Sequence, residues 1–197
     1  MIGVALRRLS DRLAYAAYLW AQIRQTRAKR AKDASFRLRP FTALVRRSCP
    51  WLGPGSEVLS LGPRNEIEIA ILEDAGLGRV TGLDLWPASP RIRRGDMHRM
   101  PFADAAFDLI FASHVFEHAY DFGAVARECL RVLRPGGTIF CAVPTGFEPN
   151  DHDRTVFASP EEIVGHFGAA RPAVLHEAIR PSEIVVLFRT TGERGRP

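Results

Sequence analysis

The 197-residue chain has few cysteines, no long hydrophobic run and, in its first quarter, almost no acid. Its three cysteines are odd in number and widely separated, which excludes a disulfide framework and the paired spacing of a zinc site. Cys129 and Cys141 fall in apolar patterns of a helix and a strand, so reduced thiols in a cytoplasmic setting are expected. The longest apolar stretch, from Leu13 to Ile23, is interrupted by Gln22 and stopped by Arg24, too short to span a bilayer. No apolar segment with a small-residue cleavage site follows Arg7 and Arg8, so no secretion signal is expected. Glycine-rich loops are missing as well: after Gly62 no glycine occurs before Gly76. A dinucleotide's pyrophosphate needs close backbone approach at that turn, which argues against a nicotinamide enzyme.

Charge is present but unevenly placed. Residues 1–50 hold 12 Lys and Arg against 2 Asp and Glu, and the remainder holds 15 against 20. A basic arm therefore precedes a mildly acidic body, unlike a dedicated nucleic-acid binder that is basic throughout. Within the arm, Ile2, Leu6, Leu9, Leu13, Ala16, Trp20 and Ile23 recur at three- and four-residue spacing, one stripe of an amphipathic helix. The stripe suits packing on the domain or on a second copy in a homodimer. It also suits a membrane surface, given the basic residues with Tyr15, Tyr18 and Trp20, while nucleic acid is disfavoured. The arm is expected over residues 1–40 and the domain over 41–197.

Beyond the arm, strands and helices alternate. "EVLSL" reads as a buried strand, Gly62 as a turn and Asn65 as the cap of a helix that Gly76 and Gly78 end. "RVTGLD" and "FDLIFAS" read as strands, a helix is expected from Phe122 to Leu133, and Pro135-Gly136-Gly137 is expected to stop it. "TIFCAV" has the continuous apolar character of a central parallel strand. Ser159-Pro160 opens a helix, and "AVLHEAI" and "EIVVLFR" are separated by three residues, so they should pair antiparallel. The expected fold is α/β: a doubly wound, Rossmann-like, mostly parallel sheet with a C-terminal antiparallel hairpin, preceded by the amphipathic helix.

In such a sheet, ligands lie at the carboxyl ends of the strands. Those ends carry Gly62 with Arg64, then Asp84, then Asp96 with Met97, then Ser113 with His114. Asp84 follows the glycine turn by 22 residues, the spacing at which a carboxylate accepts both hydroxyls of a ribose. The connection "LWPASPRIRRGD" contains two prolines and has no room for a full helix.

Five stretches, "VLSLG", "VTGLD", "GDMHRMPF", "FDLIFASHVFEH" and "RVLRPGG", in this order and spacing resemble the class I S-adenosylmethionine-dependent methyltransferases of small-molecule type. The resemblance covers roughly residues 55–145. It implies that Gly62 approaches the methionine part of S-adenosylmethionine and that Asp84, with Leu85, holds the ribose. It further implies that Asp96 and the Met97 backbone amide hold the adenine, with Ser113 nearby. The opening stretch departs from the family, with Ser60 where an acid is usual and Pro63-Arg64 where glycines are usual. Arg64 either pairs with the cofactor's carboxylate or forms a salt bridge to Glu66 or Glu68. His114, just beyond the fourth strand, and His152, in the loop after the fifth, are the candidate bases. No set of residues has the spacing of a metal site. The implied activity is methyl transfer to a small-molecule acceptor, with a catalytically inactive cofactor-binding domain as the alternative.

Overall fold

A computed structural model describes residues 2–29, 31 and 35–191, without the side chains of residues 2–6 and 8. The chain runs α1 (Ile2–Lys29), α2 (Ser35–Ser48), β1 (Glu57–Leu61), α3 (Glu66–Asp74), β2 (Arg79–Asp84), β3 (Ile92–Arg94) and β4 (Phe107–Ser113). It continues through α4 (Phe122–Val132), β5 (Leu133–Pro144), α5 (Pro160–Gly165), β6 (Ala173–Arg180) and β7 (Glu183–Arg189). The seven strands form one sheet in the order β3-β2-β1-β4-β5-β7-β6. The first five are parallel, and β7 pairs antiparallel with both β5 and β6. This is the doubly wound sheet with a terminal hairpin that the alternation of strand and helix patterns implies.

Both faces of the sheet are covered. Alternation along the strands sends Leu59, Ile110, Ile139 and Cys141 to one face, against α4 and α5 through Val125, Cys129 and Ile163. Val58, Leu109, Phe111 and Phe140 point to the other, against Phe41 and Val45 of α2 and Ile69 and Leu72 of α3. Phe140 stacks on Phe111 at 4.5 Å between ring centroids and meets Phe41 at 5.1 Å. Phe41 is 1% exposed, and truncation of such a ring to alanine removes about 3–5 kcal/mol.

The helix starts follow local capping chemistry. Asn65 Oδ1 accepts the Ile67 N–H at 3.1 Å, Asp121 Oδ1 accepts that of Ala124 at 3.0 Å, and Ser159 Oγ that of Glu162 at 3.3 Å. The β2–β3 connection holds no helix, as its two prolines require.

Three details differ from the sequence reading. The expected boundary after residue 40 lies inside α2, whose Leu38 is 1% exposed, so the body takes in this whole helix. The Pro135-Gly136-Gly137 segment follows the end of α4 at Val132 but already lies within β5, which starts at Leu133 and shifts register between Phe107 and Leu109 of its neighbour. Finally, the apolar stripe of α1 does not pack on the domain. Leu9, Leu13 and Trp20 are 54%, 64% and 66% exposed, whereas Tyr18 and Gln22 on the opposite side are buried. Ile2 and Leu6 of that stripe lie outside the described side chains.

Candidate active site

The carboxyl ends of β1, β2, β3 and β4 open into a cleft of about 800 Å³, its solvent mouth included, roofed by the polar side of α1. Gly62 ends β1 with φ +65° and donates its N–H to the Leu83 carbonyl at 2.8 Å. A Cβ here would lie 2.7 Å from Val115 Cγ2, so only glycine fits on both counts. Pro63 is buried against β2, where a Cβ on Gly82 would approach Pro63 Cγ to 2.8 Å. The turn therefore closes by proline packing where further glycines are usual. Arg64 lines the cleft, with its Nε 4.0 Å from Glu68 Oε1.

Asp84 ends β2, and its Oδ1 accepts the Trp86 N–H at 2.7 Å. Burial pushes its carboxyl up to about 6, against the opposing effect of that hydrogen bond. Leu85 lines the cleft beside it.

Asp96 is more fully partnered. Its Oδ1 accepts the His98 N–H at 2.9 Å and lies 2.7 Å from His98 Nδ1, and its Oδ2 accepts the Tyr15 hydroxyl. His98 Nε2 accepts the N–H groups of Tyr120 and Asp121, which assigns the ring proton to Nδ1 and makes that nitrogen the donor to Asp96. Burial raises the Asp96 carboxyl, but these hydrogen bonds outweigh it and hold the group below the usual carboxylate range. Tyr15, Tyr18, Tyr120 and His98 form a cluster of edge-on and tilted rings, with Arg154 over Tyr120 at 4.9 Å. Met97 lines the cleft next to Asp96.

At the other end Ser113 closes β4, its buried Oγ without a hydrogen-bond partner. His114 follows with φ +53°, a left-handed conformation that a non-glycine residue holds only when its surroundings enforce it. Its N–H is donated to Ala142 at 2.8 Å. Its ring lies between two carboxyl groups, Nε2 3.1 Å from Glu183 Oε2 and Nδ1 3.9 Å from Glu117 Oε1. Burial and then the Arg37 guanidinium lower the histidine's basicity, while Glu183 raises it; the net shift is downward. Glu117 is pushed by burial up to about 8 and leaves its Oε2 unpartnered. His118 lines the cleft, its Nδ1 2.8 Å from Asp153 Oδ1, its Nε2 3.9 Å from Glu117, and burial lowers it.

His152 is not among the residues lining the cleft. Its carbonyl is what connects it to the site, accepting Gln22 Nε2 of α1 at 2.7 Å and facing His118 Nδ1 at 3.1 Å. The other expected residues, Gly62, Arg64, Asp84, Leu85, Asp96, Met97, Ser113 and His114, share the cleft wall. Sequence reasoning missed Tyr15, His98, Arg37, Glu117, Asp153 and Glu183 as partners of the site. Only Asp153 and Glu117 carried a local signal, as neighbours of the candidate histidines.

The arrangement fits S-adenosylmethionine. Gly62 presents its backbone to the cleft, Asp84 has one backbone donor, and Ser113 Oγ is a buried polar atom without a partner. Strand order, Gly62 turn and an acid at the end of β2 together place a nucleoside-type site at the carboxyl edge of a doubly wound sheet.

Residues 59–141 match the family model of a methyltransferase domain. A probable S-adenosylmethionine-dependent methyltransferase of Mycolicibacterium smegmatis is 34% identical over 100 residues, 46% of this chain and 38% of that protein. A demethylmenaquinone methyltransferase of Mycolicibacterium paratuberculosis is 34% identical over 47% of this chain and 44% of its own length. The chain thus spans less than half the length of these curated relatives. The solved structure of the 1,6-didemethyltoxoflavin-N1-methyltransferase of Burkholderia thailandensis, with S-adenosylhomocysteine bound, superimposes with a TM-score of 0.67. It is 20% identical and covers 90% of this chain and 89% of its own. The chain is thus similar to S-adenosylmethionine-dependent methyltransferases over residues 59–141 and shares the fold of a solved methyltransferase.

Proposed function

We propose that the protein transfers a methyl group from S-adenosylmethionine to a small-molecule acceptor. The observation that carries this reading is Asp84, a half-buried carboxylate with one protein donor, at the strand end where a ribose diol supplies two more. In this reading Leu85 flanks the ribose, and Asp96 accepts from the adenine amino group while the Met97 N–H donates to the ring. Gly62 underlies the methionine portion, Arg64 pairs with its carboxylate, and Ser113 Oγ takes a polar atom of the same portion. When bound, S-adenosylmethionine supplies a methyl group on a positively charged sulfur.

His114 acts as the base. With Nε2–H donated to Glu183, Nδ1 is the nitrogen that takes the acceptor's proton, and Glu183 holds the ring in that tautomer. The lowered basicity of His114 keeps it unprotonated at neutral pH, as a base must be. His152, off the cleft wall, supports the roof through its carbonyl. The three buried, unpaired cysteines favour a reducing, cytoplasmic compartment. The demethylmenaquinone named for one relative supports an acceptor of small-molecule class.

Calorimetric titration with S-adenosylmethionine, followed by a screen of acceptors for S-adenosylhomocysteine release, tests the proposal. Tight binding with release is expected. Binding without release across the screen would favour the inactive cofactor-binding domain, and absence of binding would remove both.

A further inference from the structure

Helix α1 has two faces of opposite character. Its polar face holds the roof in place, with Tyr18 and Gln22 buried, Tyr15 bonded to Asp96 and Gln22 to the His152 carbonyl. At 100° per residue, Leu9, Leu13, Ala16, Trp20 and Ile23 fall within an arc of about 80° on the opposite side. Arg12 and Arg24, both exposed, border that arc about 20° beyond either edge. Leu9, Leu13 and Trp20 are each more than half exposed. The body does not cover this face, because the helix is fastened by the other one.

Charge selects the occupant. Residues 1–50 hold 12 basic and 2 acidic side chains, so two such faces pressed together would bring Arg12 and Arg24 of each copy against like charges. An anionic lipid surface reverses the sign. Leucine and tryptophan side chains enter the headgroup boundary, while flanking guanidinium groups reach outward to phosphates on long aliphatic stems. Among the described residues no helix is long and apolar enough to cross a membrane, so the attachment is peripheral. We propose that α1 docks the protein, through Leu9, Leu13 and Trp20 with Arg12 and Arg24 at the margins, onto an anionic membrane surface. The roof of the cleft then lies against the lipid.

The test is sedimentation of the full-length protein, without cofactor, with vesicles of phosphatidylcholine mixed with phosphatidylglycerol, and with phosphatidylcholine alone. Binding is expected to the anionic vesicles and to weaken at about 1 M salt, where the screening length is about 3 Å. Leu13→Gln with Trp20→Gln should reduce partitioning at least tenfold. Arg12→Gln with Arg24→Gln should do the same, since each basic residue at such a surface contributes roughly fivefold. These side chains point away from the body, so circular dichroism and cofactor titration should match the unaltered protein and exclude misfolding as the cause. Failure to sediment with anionic vesicles, or binding that survives both double substitutions, would overturn the proposal. So would a dimer in sedimentation velocity that Leu13→Gln with Trp20→Gln dissociates, since the face would then belong to a second copy.

Discussion

At one end of the cleft, Asp84, Asp96 and Met97 follow one another closely along the chain, each just past the end of a parallel strand. At the other end His114 from β4 meets Glu183 from β7, Glu117 from the turn after β4 and the field of Arg37 from α2. The first end is a product of local spacing on a fixed sheet. The second is assembled from elements that the chain brings together only when the sheet and both its layers are complete. Burial also acts there on three ionisable groups: Glu117 is raised and His114 and His118 are lowered. The contrast suggests a division of work, with the first end recognising the cofactor and the second setting the protonation on which transfer depends.

That division breaks first, and most visibly, at His114. His114→Ala should lower turnover by about a hundredfold or more while cofactor affinity stays near that of the unaltered protein. Steady-state kinetics beside calorimetric titration check this, and a parallel loss of affinity would merge the two ends into one. Glu183→Gln should have a smaller effect on turnover. Removing a carboxylate lowers the basicity of His114, so the acidic limb of the pH–rate profile should move to lower pH, which a merely structural glutamate would not cause.

The next largest effect belongs to the first end. Asp84→Ala should weaken S-adenosylmethionine binding at least tenfold, about 1.4 kcal/mol, because two ribose hydroxyls lose a charged acceptor. Affinity for the unaltered protein should also fall as the pH drops through about 6, where Asp84 takes up a proton. Stability of the cofactor-free protein runs the other way. A carboxyl raised from 3.8 to about 6 on folding contributes stability at low pH, and that contribution is lost as pH rises across this window. Asp84→Asn should therefore flatten the decline between pH 4 and 6 in thermal melts, even as it abolishes tight binding.

Glu117 offers a subtler comparison. It is 3% exposed and raised from 4.5 to about 8, so the folded protein holds it protonated at neutral pH. Its contribution to stability is complete below about 4.5 and disappears as pH rises towards 8. Glu117→Gln, which keeps the shape and removes the ionisation, should recover about 1 kcal/mol at pH 9 in denaturant unfolding. No recovery would mean that the charged groups around it already stabilise the carboxylate.

The same contrast governs what was legible in the sequence. The mostly parallel sheet and the hairpin followed from apolar runs and from a three-residue connection, because period and spacing are local properties. Gly62, Asp84, Asp96 and Met97 could be found for the same reason. Glu183 could not, since it lies 69 residues from His114 along the chain and comes close only because β7 inserts beside β5. For α1, the cover of the stripe was left open for a different reason. Its apolar stripe was visible, but which face the domain takes was decided by Tyr15 and Gln22, polar side chains with partners on loops far along the chain. Pro63 marked a departure from the usual glycines of the turn, and what the sequence did not reveal is that it packs on Gly82 and closes the turn by another route.

The smallest expected effect lies where α1 crosses the first end. Asp96 Oδ2 accepts the Tyr15 hydroxyl, and in the proposed reading the same carboxylate receives the adenine amino group. A carboxylate oxygen has two lone pairs, so the two donors can share it without displacement. Tyr15→Phe removes one donor, which raises the Asp96 carboxyl towards its ordinary range but leaves it ionised at neutral pH, since both His98 contacts persist. The cofactor's dissociation constant should then move by no more than about threefold, because the Asp96 carboxylate keeps its charge and remains available to the adenine. Release should quicken, because the aromatic cluster of Tyr15, Tyr18 and Tyr120 keeps the helix seated but loses its polar anchor. Stopped-flow displacement of the bound cofactor measures both quantities. A tenfold gain in affinity would instead mean that Tyr15 competes with adenine for Asp96 and that α1 must lift before the cofactor enters.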